Sequence, residues 1–147
     1  MTFTGTVSAI LSQKKPVVYS VTPANTVFEA IQKMAEHNVG ALLVLENDQL
    51  KGVISERDYT RKVAIKGKTS KETLVSEILT SKVITVTPQT AVEECMRLMT
   101  HHHIRHLPVV ENEKVVGILS IGDLVNWIIT SQGQMIQQLT NYISGQY

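Results

Sequence analysis

Two aspartates stand at matching places in this 147-residue chain, each three residues after a serine. Ser55-Glu56-Arg57-Asp58 and Ser120-Ile121-Gly122-Asp123 both end a short apolar run that opens on glycine, Gly52-Val53-Ile54 and Gly117-Ile118-Leu119. Both lead into an apolar stretch of helical character. Serine and acid at this spacing support two chemistries. In one, serine caps the helix and the acid reaches back to the cap's backbone, a capping box with aspartate in place of glutamate. In the other, the helix start offers N–H groups and its positive dipole end to a phosphate. The serine hydroxyl joins them, and the carboxylate accepts the two hydroxyls of a ribose diol. Arg57, at the position of Gly122 in the other copy, can fork onto a phosphate or stand solvated. With Arg61, Lys62, Lys66, Lys68 and Lys71 it makes residues 57–71 locally basic.

Other reactive side chains point elsewhere. His101-His102-His103 crowd one stretch, but neighbouring histidines at a helix end point different ways, and no CxxC or HExxH spacing accompanies them. They read as a polar helix end. Cys95 shares an apolar face with Met96 and Met99 and reads as core. No nucleophile–base pairing, P-loop or metal-ligand spacing marks an enzyme, so no catalytic residue, catalytic cofactor or metal site is expected.

The elements that position the two aspartates repeat as well. Residues 18–58 align without a gap to 83–123, with 15 identities in 41 positions. Val7–Ser12 matches Val75–Thr80 at an offset of 68 rather than 65, so the first copy carries three extra residues near Gln13–Lys15. Each copy opens with a short helix, 7–11 or 75–79, and an extended segment ending at Thr22-Pro23 or Thr87-Pro88, since a residue before proline leaves the α region. Val27, Ala30, Ile31 and Met34, and equally Val92, Cys95, Met96 and Met99, fall on one helical face. Strands over 41–45 and 107–110 then turn at Glu46-Asn47-Asp48-Gln49 and Glu111-Asn112-Glu113-Lys114 into returning strands over 50–55 and 115–120. A helix starts near each aspartate.

The expected fold is α+β: two β-α-β-β-α copies packed sheet to sheet about a pseudo-twofold axis. Residues 1–65 hold the first copy, 66–72 a connector and 73–130 the second. Residues 131–147 make an amphipathic C-terminal helix with Met135, Ile136, Leu139 and Ile143 on its apolar stripe. A unit of about 60 residues is marginal alone, so the copies should depend on each other.

Composition bounds the function. A hydrophobic fraction of 43% with 18% charged residues is globular, and a net charge of +1 gives no strong field toward nucleic acid or membrane. No apolar run reaches membrane-spanning length. Met1-Thr2-Phe3-Thr4-Gly5 lacks the pattern of a secretory signal. The single cysteine fits a reducing compartment, the cytoplasm.

Taken together, the Thr-Pro dipeptides, His106-Leu107-Pro108-Val109-Val110 and the two Gly-apolar-apolar-Ser-x-x-Asp motifs resemble a tandem cystathionine-β-synthase (CBS) domain pair, the Bateman module. Ile54-Ser55-Glu56-Arg57-Asp58-Tyr59 and the Lys-Gly-Lys-Thr-Ser-Lys connector are similar to small stand-alone CBS-pair proteins. The resemblance implies a regulatory module that binds an adenosine nucleotide (AMP, ADP, ATP, NAD or S-adenosylmethionine) between the repeats, pairs into a homodimer, and acts on a protein partner the sequence does not name. It implies one site of Val17, Tyr19, Val39, Gly40, Arg105, His106, Ser120, Gly122 and Asp123. A second would hold Lys82, Ile84, Ile104, Ser55, Arg57 and Asp58. The first copy has Gly40-Ala41-Leu42-Leu43 where the second has Arg105-His106-Leu107-Pro108, so the sites should not be equivalent.

Overall fold

A computed structural model describes residues 4–14 and 17–144. Residues 1–3 of the chain start, Lys15 of the three-residue insertion and the side chain of Met135 lie outside the described residues. In chain order the elements are α1 (Val7–Leu11), β1 (Ser20–Val21), α2 (Val27–His37), β2 (Ala41–Glu46), β3 (Gln49–Ser55), α3 (Glu56–Tyr59), α4 (Val75–Ile78), α5 (Val92–His102), β4 (His106–Glu111), β5 (Lys114–Ser120) and α6 (Ile121–Ser144). A π-helical turn, Thr60–Ala64, continues α3.

Local chemistry sets these boundaries. Thr26 and Glu29 form a reciprocal capping box that starts α2, which buries Val27, Ala30 and Met34. The matching face of α5 buries Val92, Cys95 and Met99. Asn38 and His103, both at φ 54°, end these helices in the left-handed region. The β2–β3 hairpin runs from Ala41↔Ser55 to Glu46↔Gln49. Its turn residues Asn47 and Asp48 both have positive φ, as do Asn112 and Glu113 between β4 and β5. That is the type I′ geometry a two-residue hairpin favours.

The copies diverge at the entry strand. In the first, β1 lies parallel to β2 with Ser20 opposite Leu43, and Leu43 N–H donates to the Tyr19 carbonyl at 3.3 Å. Sixty-five residues on, Leu43 becomes Pro108, which has no N–H to donate. Among the described residues the corresponding segment before α5 makes only an isolated bridge at Val86, and β4–β5 is a two-stranded sheet where β1-β2-β3 has three strands.

The leading helices are shared between copies. The first N–H groups of a helix lack partners within it. Those of α4 donate from Val75 to Asn25 and from Ser76 to Pro23, and those of α1 from Val7 to Thr90 and from Ser8 to Pro88, all at 2.8–3.0 Å. The Thr-Pro turn of each copy thus caps the leading helix of the other. Contacts accordingly divide the chain into two units. One joins the described residues before Val17 to Val86–Leu107 and to those from Leu119 onward; the other joins Val17–Thr85 to Pro108–Ile118. In the second unit Val75 and Ile78 of α4 complete a core of Val21, Val27, Ala30, Met34, Leu42, Val44, Ile54 and Val63. In the first, α6 packs on α5 and α1.

The helix that begins at Asp123 and the apolar stripe after Gly133 lie on one helix, α6, which runs through Gly133. A helical glycine costs about 1 kcal/mol relative to alanine but does not end a helix by itself. Ile129, Ile136, Leu139 and Ile143 of α6 are exposed. Among the described residues no helix is long and apolar enough to cross a membrane.

Candidate functional site

Both Ser-x-x-Asp motifs sit where a returning strand becomes a helix. At the first, Ser55 N–H donates to Asp58 Oδ2 at 2.9 Å, and Asp58 N–H donates back to Ser55 Oγ at 3.2 Å. At the second, the Ser120 N–H to Asp123 Oδ2 bond is 2.8 Å and the return bond 3.1 Å. The capping box is therefore present in both copies. The next N–H is engaged too: Glu56 donates to the Gly40 carbonyl at 3.0 Å and Ile121 to the Arg105 carbonyl at 2.8 Å. Three backbone donors at each helix start are thus used within the protein, and recognition of an anion there falls mainly to side chains.

The two carboxylates differ in their surroundings. Asp58, only 9% exposed, is buried. Its Oδ1 takes the Thr80 hydroxyl at 3.3 Å and the Lys62 ammonium at 3.0 Å. Lys62 comes from one turn further along the same helix and also donates to the Ile78 carbonyl at the end of α4. Asp123 retains more exposure, 22% of its side chain, and its Oδ2 takes the ammonium of Lys14 at 2.7 Å. Lys14 follows α1, 109 residues away in sequence. Neither Thr80 nor Lys14 is evident from the motifs. The signal for Lys14 was the three-residue insertion after α1, which changes what that segment can reach.

Charge gathers around Asp123. Burial pushes the His106 imidazole below its ordinary value of 6.5; Asp123 opposes that shift, while Lys14 and Arg105 add to it. Arg105 itself is exposed. Arg105, His106, Ser120, Gly122 and Asp123 belong to one unit, together with Ile104. Val17, Tyr19, Val39 and Gly40 belong to the other, as do Lys82, Ile84, Ser55, Arg57 and Asp58. The Tyr19 ring stacks on His37, with centroids 3.8 Å apart, and Tyr19 and Val39 pack against the β1–β2–β3 core. Val17, Lys82 and Arg57 are exposed, and Ile84 and Ile104 are half-buried.

The remaining reactive groups are placed differently. Cys95 is buried, which pushes its thiol up to about 11 and disfavours the thiolate that a nucleophile needs. His101 and His102 meet edge to face at the end of α5, with His103 as its left-handed cap. Among the described residues no three His, Cys, Asp or Glu side chains gather as a metal site.

Known proteins share this fold. The CBS domain family model matches residues 7–65 and 75–130. The mitochondrial CBS domain-containing protein CBSX3 of Arabidopsis thaliana is 44% identical over 131 residues, spanning 86% of this chain but 64% of the plant protein. A candidate signal-transduction protein with CBS domains from Burkholderia ambifaria MC40-6 superposes with a TM-score of 0.85 at 46% identity, covering 87% of this chain and 96% of that one. The CBS domain protein PAE2072 from Pyrobaculum aerophilum, solved in complex with AMP, gives 0.71 at 31% identity, covering 80% and 88%. The chain belongs to the CBS domain family and carries two CBS repeats in an α+β fold.

Proposed function

We propose that this chain is a regulatory module that binds an adenosine nucleotide, with Asp123 accepting the ribose hydroxyls and Arg105, His106 and Lys14 facing the phosphate end. The observation that carries the reading is the grouping of a partly exposed carboxylate with these three basic side chains at a helix start. The AMP complex of a relative at 31% identity supports the ligand class. Val17, Tyr19, Val39 and Gly40 are proposed for the adenine side of this site. The second site takes Ser55, Arg57 and Asp58 with Lys82, Ile84 and Ile104, and its basic connector suits a longer ligand such as ATP or NAD. Ligand with unequal affinity for two arrangements of the module shifts their populations, and that shift is the signal to a protein partner. The module is read as non-catalytic, homodimeric through exposed apolar positions such as those on α6, and resident in the cytoplasm. Residues 1–65, 66–72 and 73–130 serve as first repeat, connector and second repeat; the terminal helix expected over 131–147 is, through Ser144, the continuation of α6, and residues 145–147 lie outside the described residues.

A ligand-free dimerisation scaffold is the second reading, favoured by Asp58, whose two oxygens are occupied by Ser55, Lys62 and Thr80. Thermal melts with AMP, ATP, NAD and S-adenosylmethionine separate the two. A concentration-dependent rise in melting temperature with one of them is expected, since a ligand bound only to the folded state stabilises it. No rise with any would favour the scaffold.

A further inference from the structure

The Lys14–Asp123 pair bears on which ligand the site accepts. Lys14 Nζ lies 2.7 Å from the Asp123 oxygen that also accepts the Ser120 N–H. The two side chains are 32% and 22% exposed, so solvent screens the pair and it can exchange partners. The lysine at the other aspartate is held differently. Lys62 is one helical turn from Asp58 on the same helix and also donates to the Ile78 carbonyl at 2.9 Å. Lys14 instead comes from the segment that is three residues longer than its counterpart before the second copy.

We propose that Lys14 selects for ligand charge at the Asp123 site: its ammonium guards the carboxylate against neutral diols and is released by a ligand that brings its own anion. The inference rests on Asp123 being a ribose acceptor. A neutral nucleoside whose two hydroxyls span both carboxylate oxygens must displace the ammonium from Oδ2 and brings no anion in return. A nucleotide offers a phosphate, and a charge-assisted bond to that phosphate replaces the one lost. Arg105 adds a cation to the same end of the site, and Lys14 is the cation bonded to Asp123, so the guard function belongs to Lys14.

The test is calorimetry on the full chain with AMP and with adenosine, for the wild type, Lys14→Gln and Lys14→Arg. In Lys14→Gln the preference for AMP over adenosine should shrink by about tenfold, AMP binding more weakly and adenosine more tightly. Lys14→Arg, which keeps the charge, should hold the preference within about threefold of the wild type. An unchanged preference in Lys14→Gln, with the wild type still binding AMP, overturns the role of Lys14 and leaves the nucleotide reading standing. A wild type that binds neither probe overturns both.

Discussion

Ser76 donates its backbone N–H to the carbonyl of Pro23 at 3.0 Å, and the counterpart of that bond joins Ser8 to Pro88 at 2.8 Å. Each Thr-Pro turn therefore finishes the helix that opens the other repeat. Val27 N–H donates to the Thr73 carbonyl and Val92 N–H to the Gly5 carbonyl, which extends the exchange to the main helices. Removing either repeat strips the other of caps and of core.

A fragment of residues 1–65 should accordingly be poorly folded. It lacks Val75 and Ile78, which complete its core, and the Thr80 bridge to Val53. Burial of each aliphatic side chain is worth about 1.5–3 kcal/mol, against a total stability of about 5–15 kcal/mol for a domain. A broad, non-cooperative melt by circular dichroism is expected; a sharp two-state melt of the monomeric fragment would contradict the shared architecture.

Gly52→Ala should destabilise the whole chain by about 1–3 kcal/mol, as overpacking does in a closed site. A methyl there would lie 2.5 Å from the Thr80 carbonyl oxygen and 2.5 Å from Leu79 Cδ1. Because Thr80 is bridged to Val53 by two backbone bonds, the backbone side of the clash has little room to move. Urea denaturation reads the change in midpoint.

Stability should fall as the solution is acidified through the histidine range. His106 titrates below 6.5 in the folded chain, chiefly because it is buried. Between its folded and unfolded values the unfolded chain binds more protons, so stability rises with pH across that window. The contribution is complete above 6.5 and is lost as pH drops toward the lowered folded value. His106→Gln, which cannot charge, should flatten this part of the profile in melts taken at successive pH values.

Much of this architecture was legible in the sequence, for identifiable reasons. The α2 and α5 faces follow from apolar spacing, and the hairpins from Asn-Asp and Asn-Glu between strand-like runs. The helix starts follow from Ser-x-x-Asp. Three features resisted. Pro108 has no N–H to donate where Leu43 donates to Tyr19, and the entry segment of the second copy keeps only an isolated bridge at Val86, a difference visible only once that Leu43 bond is seen. The terminal helix expected from residue 131 is part of α6, which begins at Ile121, because the propensity cost of one glycine, Gly133, is smaller than the helix around it sustains. Thr80 and Lys14 act at sequence separations of 22 and 109, and no local periodicity encodes such contacts.

Light scattering should return a mass of twice 16.3 kDa at micromolar concentration. The exposed Ile129, Ile136, Leu139 and Ile143 on α6 offer apolar surface whose burial drives self-association. A monomer would count against the homodimer.

The central claim is that Asp123 reads a ribose and does more than cap a helix, and calorimetric titration of AMP into the wild type and Asp123→Ala, paired with melts of both, tests it most directly. Loss of a charge-assisted bond to the diol should weaken AMP binding by about one to two decades, roughly 1.5–3 kcal/mol. Loss of an acid at a helix start should lower stability by only about 0.3–1 kcal/mol. The account predicts that affinity falls far more than stability, and that Asp58→Ala does the same at its own site. Equal AMP affinity in the wild type and Asp123→Ala, with only the melting temperature displaced, would contradict it and leave Ser120 and Asp123 as a capping box alone.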